Sequence, residues 1–406
     1  MLGVGRAFDY KGAAPRSQAM TDRIYLDWNA TAPLRPQARS AVAAALDLSG
    51  NPSSVHAEGR AVRRVVEEAR ESVAALVGAE PRNVVFTSGG TEANALALAP
   101  MRGPVGQGID RLLVSAIEHP SVLAGGRFAP AAVERVPATA DGRIDLAALA
   151  VALSARAGRA LVSLMLANNE TGIVQPVCEA ARLTHEAGGL LHVDAIQAAG
   201  RIPCNINTLG ADLITVSGHK IGALKGVGAL VRRDATGPWP EPLIKGGGQE
   251  RGARAGTENV TGIAAFGAAA RAALAELATE AARMAGLRDR LEAGLRTASP
   301  DLTIFGAEAP RLPNTTLFAL SGIKAETAVI AFDLEGIAVS SGAACSSGKV
   351  QPSHVLAAMG VPPELARAAV RLSLGPTTSR SEIDHAIQAW IRISSALLKE
   401  TRGIAA

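Results

Sequence analysis

Aromatic residues are scarce in this sequence, with seven Phe, two Tyr and three Trp among 406 residues. Its core must therefore be built from aliphatic and small side chains, which suit close packing of helices against a sheet. Single-stranded nucleic acids are gripped by aromatics interleaved with basic runs, and no such run exists here. The formal charge is +4 and the pI about 9.2, but the basic residues are scattered, so nucleic acid is not an expected partner. Cysteine is rarer still: Cys178, Cys204 and Cys345, with no CxxC pair and no Cys/His spacing of a zinc site. No metal is required on this reading. An odd cysteine count without a secretory signal suits the reducing cytoplasm. No apolar run reaches membrane-spanning length, so no membrane is expected. There is no low-complexity tract and no internal repeat. Residues 1–19 are rich in Gly and Ala with no apolar signal core, and read as a disordered extension ahead of Met20.

Nearly half of the residues are apolar (48%) and 19% are charged, which is the balance of a globular chain with a sizeable core. Apolar spacing predicts helices over 36–48 and 58–77. From residue 84 a pattern repeats. Short apolar strands are predicted at 84–87, 112–115, 161–166, 190–193, 213–216 and 228–231, alternating with helical runs such as 93–99. That alternation implies βαβ units around a parallel or mixed sheet. A long Ala-rich helix is predicted over 263–295. Beyond it a smaller α/β unit follows, with strands at 314–320, 337–340 and 368–374 and helices at 325–335, 352–359 and 382–399.

Five of these strands end in chemically capable residues. Ser-Gly-Gly-Thr-Glu follows the first and Glu118-His119-Pro120 the second. Asn168-Asn169-Glu170, then Asp194-Ala195-Ile196-Gln197, then Ser217-Gly218-His219-Lys220 follow the next three. In open α/β sheets ligands bind beyond the carboxyl ends of the strands, so these segments are expected to converge. Lys220, just past a buried strand, is a candidate desolvated amine nucleophile. Pyridoxal phosphate needs such a lysine, an acid at its ring nitrogen, a phosphate cradle and a group on its ring face. Asp194 is the candidate acid, and Gln197 a donor to the ring hydroxyl. Gly90 and Thr91, at a strand-to-helix junction, make an anion site, with Ser217 and His219 beside it. His119 is the candidate stacking and proton-relaying group. The run 245–257, KGGGQERGARAGT, offers amides and arginines to an anion. Cys345 lies in a loop of Gly, Ala and Ser with no apolar periodicity to bury it, the context of a cysteine that enters a site and leaves it. Cys178 and Cys204 read as structural.

The motifs YLDWNATAP, GNPSSVHAEGR, FTSGGTEANALAL, EHPSV, NNETGIVQP, HVDAIQ, SGHKIGALKGVGAL, GGGQERGARAGTEN, SSGAACSSG, PSHVLAAMG and RLSLG, in this order, resemble the cysteine desulfurases of the NifS/IscS type, within the class V aminotransferase group. The resemblance runs from about Arg23 to the C-terminus. Departures from it are Trp28, Ala32 and Ala343, none of them a catalytic group. It implies the type I pyridoxal-phosphate transferase fold: an α/β large domain with a mixed, mostly parallel sheet flanked by helices, plus a smaller C-terminal α/β domain. The implied division is an N-terminal segment 20–34 associating with the small domain, a cofactor-binding domain 35–275, and a small domain 276–406 carrying the cysteine loop. It implies a homodimer in which Thr257 reaches the partner's cofactor phosphate. Arg371 would pair with the substrate carboxylate, helped by Asn29, with Asn169 near the substrate and the ring hydroxyl. The implied reaction converts L-cysteine to L-alanine and leaves a persulfide on Cys345 for an iron–sulfur scaffold protein or another sulfur acceptor. Cys345 would then also be a candidate transient iron–sulfur ligand. The alternatives are a selenocysteine lyase or an ordinary class V aminotransferase on the same scaffold, and a non-enzymatic sulfur-binding protein.

Overall fold

The computed structural model describes residues 23–101, 108–156, 158–234, 240–342 and 353–404. Its strands in chain order are β1 (Ile24–Tyr25), β2 (Val84–Thr87), β3 (Ile109–Ser115), β4 (Val133–Val136), β5 (Arg159–Met165), β6 (Leu190–Asp194), β7 (Leu213–Ser217), β8 (Gly228–Arg232), β9 (Thr303–Ile304), β10 (Thr315–Ala319), β11 (Ile337–Ala338), β12 (Ser340–Ser341) and β13 (Val370–Ser373).

Seven strands form the main sheet in the order β2-β8-β7-β6-β5-β3-β4. Strands β7, β6, β5, β3 and β4 run parallel, and β8 is antiparallel to both β7 and β2. Two successive reversals restore the direction of β7 in β2. The carboxyl ends of β2, β7, β6, β5 and β3 therefore share one edge of the sheet, and that edge carries the site. The central strands β5, β6 and β7 are buried and mostly apolar, as expected where helices cover both faces, with Ser163, His192 and Thr215 as buried polar interruptions.

Helix Ala57–Leu76 and the first half of the 39-residue helix Val260–Ala298 cover one face. They approach closely at Gly267, where a Cβ would stand 2.5 Å from the Ala69 Cα. The far end of the long helix contributes Leu291 and Leu295 to a second core. That second core lies over the antiparallel sheet β12-β13-β10-β9 and the parallel pair β1-β11. Three of the few aromatics gather there: Trp390 stacks on Phe332 and meets Phe318 edge-on, at a centroid distance of 5.0 Å.

Several sequence expectations are corrected. Val260–Ala298 contains an 18-residue window of mean hydropathy 1.3, apolar enough by composition to cross a membrane, although no such run was expected. The alanines responsible pack against the protein, and 56% of the window is buried. The helix expected at 93–99 begins at Gly90, because Gly90 and Thr91 form its first turn. The strand expected at 337–340 is two strands, β11 pairing with β1 and β12 with β13. Strand β4 and the helices Leu146–Ser154 and Val177–Glu186 were not anticipated. Cys204 is buried, whereas Cys178 is exposed.

Candidate active site

The five strand ends open into a cavity of about 400 Å³, walled in part by Gly90, Thr91, His119, Asn169, Asp194, Gln197, Ser217, His219 and Lys220. Arg371 enters it from β13, Asn29 from the N-terminal segment and Ser341 from β12. Residues separated by more than 300 positions thus face one space.

Lys220 closes a single helical turn, Gly218–Lys220, directly after β7. Its Nζ donates to the carbonyls of Asn29 (2.5 Å) and Ala30 (2.9 Å). Burial first, then Arg201 and Arg371, push the amine down to about 7 against the pull of Asp27 and Asp194. A substantial neutral fraction is therefore present at pH 7. His219 Nδ1 meets Thr31 Oγ1 at 3.0 Å, and burial first, then Lys220, Lys225 and Arg201, push the ring down to about 4.

Asp194 is buried at the end of β6. One oxygen accepts the Ile196 N–H (2.9 Å) and the other the Asn94 amide (2.8 Å). Desolvation raises its pKa above the usual carboxylate range, opposed by those bonds and by His119 and Lys220.

The Asn94 amide is the hub of a directed chain. Its Nδ2 also donates to Ser121 Oγ (2.9 Å), which lies 2.7 Å from His119 Nδ1. The Ser121 backbone N–H donates to the same nitrogen (3.1 Å), so Nδ1 is an acceptor and the neutral ring carries its proton on Nε2. Burial, reinforced by Lys220 and His354 and opposed by Asp194, keeps His119 below its ordinary value, hence neutral at pH 7. On the other side, Asn94 Oδ1 accepts from Thr215 Oγ1 (2.6 Å). Thr215 in turn accepts from His192 Nε2 (3.1 Å), and His192 Nδ1 from Ser163 (2.8 Å). His192 is pushed down to about 3 by burial, so it stays neutral.

Gln197 donates to the Asn29 carbonyl (3.0 Å), and its Oε1 accepts from Arg201 (2.6 Å). Arg371 donates to the Asn169 carbonyl (2.9 Å) and to Asp27 (2.7 Å), while its buried Nε has no partner among the described residues. Asn29 faces the cavity but spends its amide protons on the Asn169 carbonyl (3.2 Å) and Thr315 Oγ1 (3.0 Å). Asn29 therefore ties three segments together, and its amide is not free to meet a carboxylate as expected from the resemblance.

The donor set fits pyridoxal phosphate. Ser217 Oγ is a buried hydroxyl with no partner among the described residues, beside the first turn of helix Gly90–Ala97, which has no side-chain cap. A Cβ at Gly90 would stand 2.3 Å from Ile196, so glycine keeps those amides open. Free amides at a helix N-terminus and an orphan hydroxyl make an anion cradle. A buried acid stands on the same wall as the amine.

Thr257 lies outside this cavity. It is exposed and lines a separate space of about 200 Å³ with Ser88 and Arg254. Its loop is held down by the buried Arg70–Glu250 ion pair (2.7 Å). Glu250 and Arg251 there adopt left-handed backbone (φ 48° and 57°), unusual for non-glycine residues. Cys345 falls in 343–352, outside the described residues. The chain resumes at Ser353, whose Oγ donates to the buried carboxyl of Glu170 (2.5 Å), and His354, whose Nε2 meets the Glu118 carbonyl (2.9 Å).

Burial, opposed by Ser353 and Arg371, raises Glu170 from 4.5 to about 7. A raised folded pKa means that the folded state binds the proton more tightly. The associated stability is complete below pH 4.5 and is lost as pH rises through 7. Glu170→Gln should therefore gain about 3 kcal/mol relative to the parent between pH 5 and pH 8.5. Denaturant midpoints at both pH values measure this, and a parallel pH dependence in the two proteins would refute it.

Asn94, Ser121, Asp27 and Arg201 were not singled out in the sequence, and Glu170 was named only as part of a strand-end segment. Asn94 and Asp27 sit inside quoted motifs, each a polar residue in an apolar setting. That was the available signal.

The family model for aminotransferase class V matches residues 24–385. A cysteine desulfurase of Cereibacter sphaeroides is 44% identical over 379 residues, covering 90% of this chain and 94% of its own. The cysteine desulfurase IscS of Dictyoglomus turgidum is 38% identical over 93% of this chain and 96% of its own. Among solved structures, a NifS-like protein from Rickettsia africae superposes with a TM-score of 0.83 at 35% identity, over 92% of this chain and 99% of its own. SspA in complex with cysteine has a TM-score of 0.73 at 27% identity, over 88% and 100%.

Proposed function

Because the chain belongs to the class V aminotransferase family, we infer that its cavity holds pyridoxal phosphate and acts on L-cysteine. The protein is a pyridoxal-phosphate-dependent cysteine desulfurase, converting L-cysteine to L-alanine. The observation that carries this reading is the meeting of a desolvated amine, a buried acid, an anion cradle and a guanidinium with an unpartnered Nε around one cavity.

When bound, the cofactor supplies a carbonyl carbon for amines and a ring that stores an electron pair. Gly90, Thr91, Ser217 and His219 would hold its phosphate, with Thr257 serving the phosphate site of the partner subunit in a homodimer. Asp194, kept in place by Asn94, would hold a proton for the ring nitrogen. Gln197 and Asn169 would serve the ring hydroxyl and His119 the ring face. Arg371 takes the substrate carboxylate through Nε and a neighbouring Nη, a paired geometry that suits a guanidinium. Lys220 Nζ, partly neutral at pH 7, takes the α-proton, and His119 Nε2 is the second group able to move it.

The Cys345 thiolate then attacks the substrate sulfur. An S–S bond forms as the substrate's C–S bond breaks, the bonding pair passes to carbon, and carbon takes a proton. L-cysteine and a thiol become L-alanine and a persulfide, with atoms and electrons in balance. The persulfide is a reversible cap that passes to an acceptor thiol, for which an iron–sulfur scaffold protein is the proposed class. The test is product balance with purified protein, pyridoxal phosphate and L-cysteine. Equal amounts of L-alanine and protein-bound or released sulfur are expected. Pyruvate or transamination in place of alanine would refute the reading, and a strong preference for L-selenocysteine would reassign it to a selenocysteine lyase.

A further inference from the structure

We propose that Arg201 is a positioning residue: bonded to Gln197 and to the backbone behind Lys220, it aims the Gln197 amide at the cofactor and keeps an unpaired positive charge beside the lysine. This rests on the reading that the cavity holds pyridoxal phosphate.

Arg201 is buried, at 6% exposure, in the turn that follows Gln197. Its Nη1 donates to the Gln197 carbonyl and to Gln197 Oε1, both at 2.6 Å. Its Nη2 reaches the Trp28 carbonyl at 3.3 Å and the Lys220 carbonyl at 3.5 Å. All four acceptors are neutral. Among the described residues no carboxylate stands within ion-pair distance of Arg201. A buried cation without a counter-charge is costly, and a neutral side chain would fill the space more cheaply. Arg201 lines a separate small space with Arg35, Glu276 and Glu280 rather than the cavity itself. Its charge reaches the cavity through Gln197, whose amide faces that space and would meet the ring oxygen of the bound cofactor.

The fork has a second effect. A free glutamine amide can turn either end inward, but Oε1 is held by Arg201, so Nε2 must face away from it. One of its protons goes to the Asn29 carbonyl and the other remains for the cavity. Arg201 thus decides that Gln197 donates and does not accept.

The charge effect is local. Arg201 and Arg371 disfavour a proton on Lys220, while Asp27 and Asp194 favour one. His119 and His219 also face this space, and both are held below the ordinary histidine value.

Two measurements on the full-length protein test the proposal. The first is trace acetylation of Lys220 against pH in cofactor-free protein, read by mass spectrometry. The second is the affinity for 4′-deoxypyridoxine 5′-phosphate, which lacks the aldehyde and binds without the lysine link. In R201Q the acetylation midpoint should rise by about one pH unit, and affinity should fall roughly tenfold. In R201K, which keeps the charge but not the fork, the midpoint should stay near the parent while affinity still falls. An unmoved midpoint in R201Q together with unchanged affinity overturns the proposal. Should R201Q not fold, R201K decides: affinity within about twofold of the parent overturns it. Failure of the parent protein to bind pyridoxal 5′-phosphate would instead overturn the function reading, so the two failures are distinguishable.

Discussion

Lys220→Ala should lower L-cysteine turnover by about 10⁴-fold or more, because both the covalent hold on the cofactor and the α-proton base are removed. The fold should survive. The lysine makes no ion pair among the described residues, and its amine bonds only the Asn29 and Ala30 carbonyls. The Asn29 carbonyl keeps the Gln197 amide, so only the Ala30 carbonyl loses its donor, at about 1–3 kcal/mol at most, offset by no longer burying an amine. Two readouts separate chemistry from folding: turnover, and exchange of the α-hydrogen of L-alanine in deuterated water. Both should vanish while the melting midpoint stays within a few degrees. A variant retaining a tenth of parental exchange would show that another base, with His119 the obvious one, does the work.

Cys345→Ser should give the complementary result. A serine hydroxyl is not appreciably ionised near pH 7 and its oxygen is a much weaker acceptor of sulfur than a thiolate, so persulfide formation should fall by at least about 10³-fold. The α-hydrogen exchange of L-alanine should persist, since Lys220, Asp194 and Arg371 are untouched. Loss of desulfuration with exchange intact assigns sulfur capture to Cys345 alone. If exchange were lost too, the cysteine would have to act earlier than the C–S bond. Desulfuration equal to the parent would assign capture to another thiol.

The part of the site that was legible in the sequence is the part that protrudes from strand ends. His119, Asn169, Asp194 and Lys220 each follow a short, mostly apolar run, and the polar residue that ends the run marks them. The mostly parallel sheet followed from the alternation of strands with helical runs, and its common edge from β8 alone running against its neighbours. What was not legible lies one layer behind. Ser163, His192 and Thr215 sit on adjacent strands β5, β6 and β7, and only register brings them into line with Asn94. Register is a property of the paired chains, invisible in any one stretch. The first turn at Gly90 was hidden because glycine is a poor helix former, and the sheet-edge β4 because VERV sets two charged residues side by side between its valines and so shows no period-two pattern. The Arg201 fork was hidden because a scattered arginine ordinarily reads as surface charge.

The directed chain from Ser163 through His192 and Thr215 to Asn94 also bears on where protons travel. A hopping path needs every member to release one proton as it takes another. Asn94 stands in the middle, and an amide nitrogen does not do that near neutral pH. The rear of the cavity is thus an insulator: dipoles point toward Asp194 and His119, but no proton leaks inward through the sheet. Every proton exchanged in a turnover must come from the substrate, from the cavity's own groups, or through its mouth. Part of the α-hydrogen of L-cysteine should accordingly be carried into the product L-alanine.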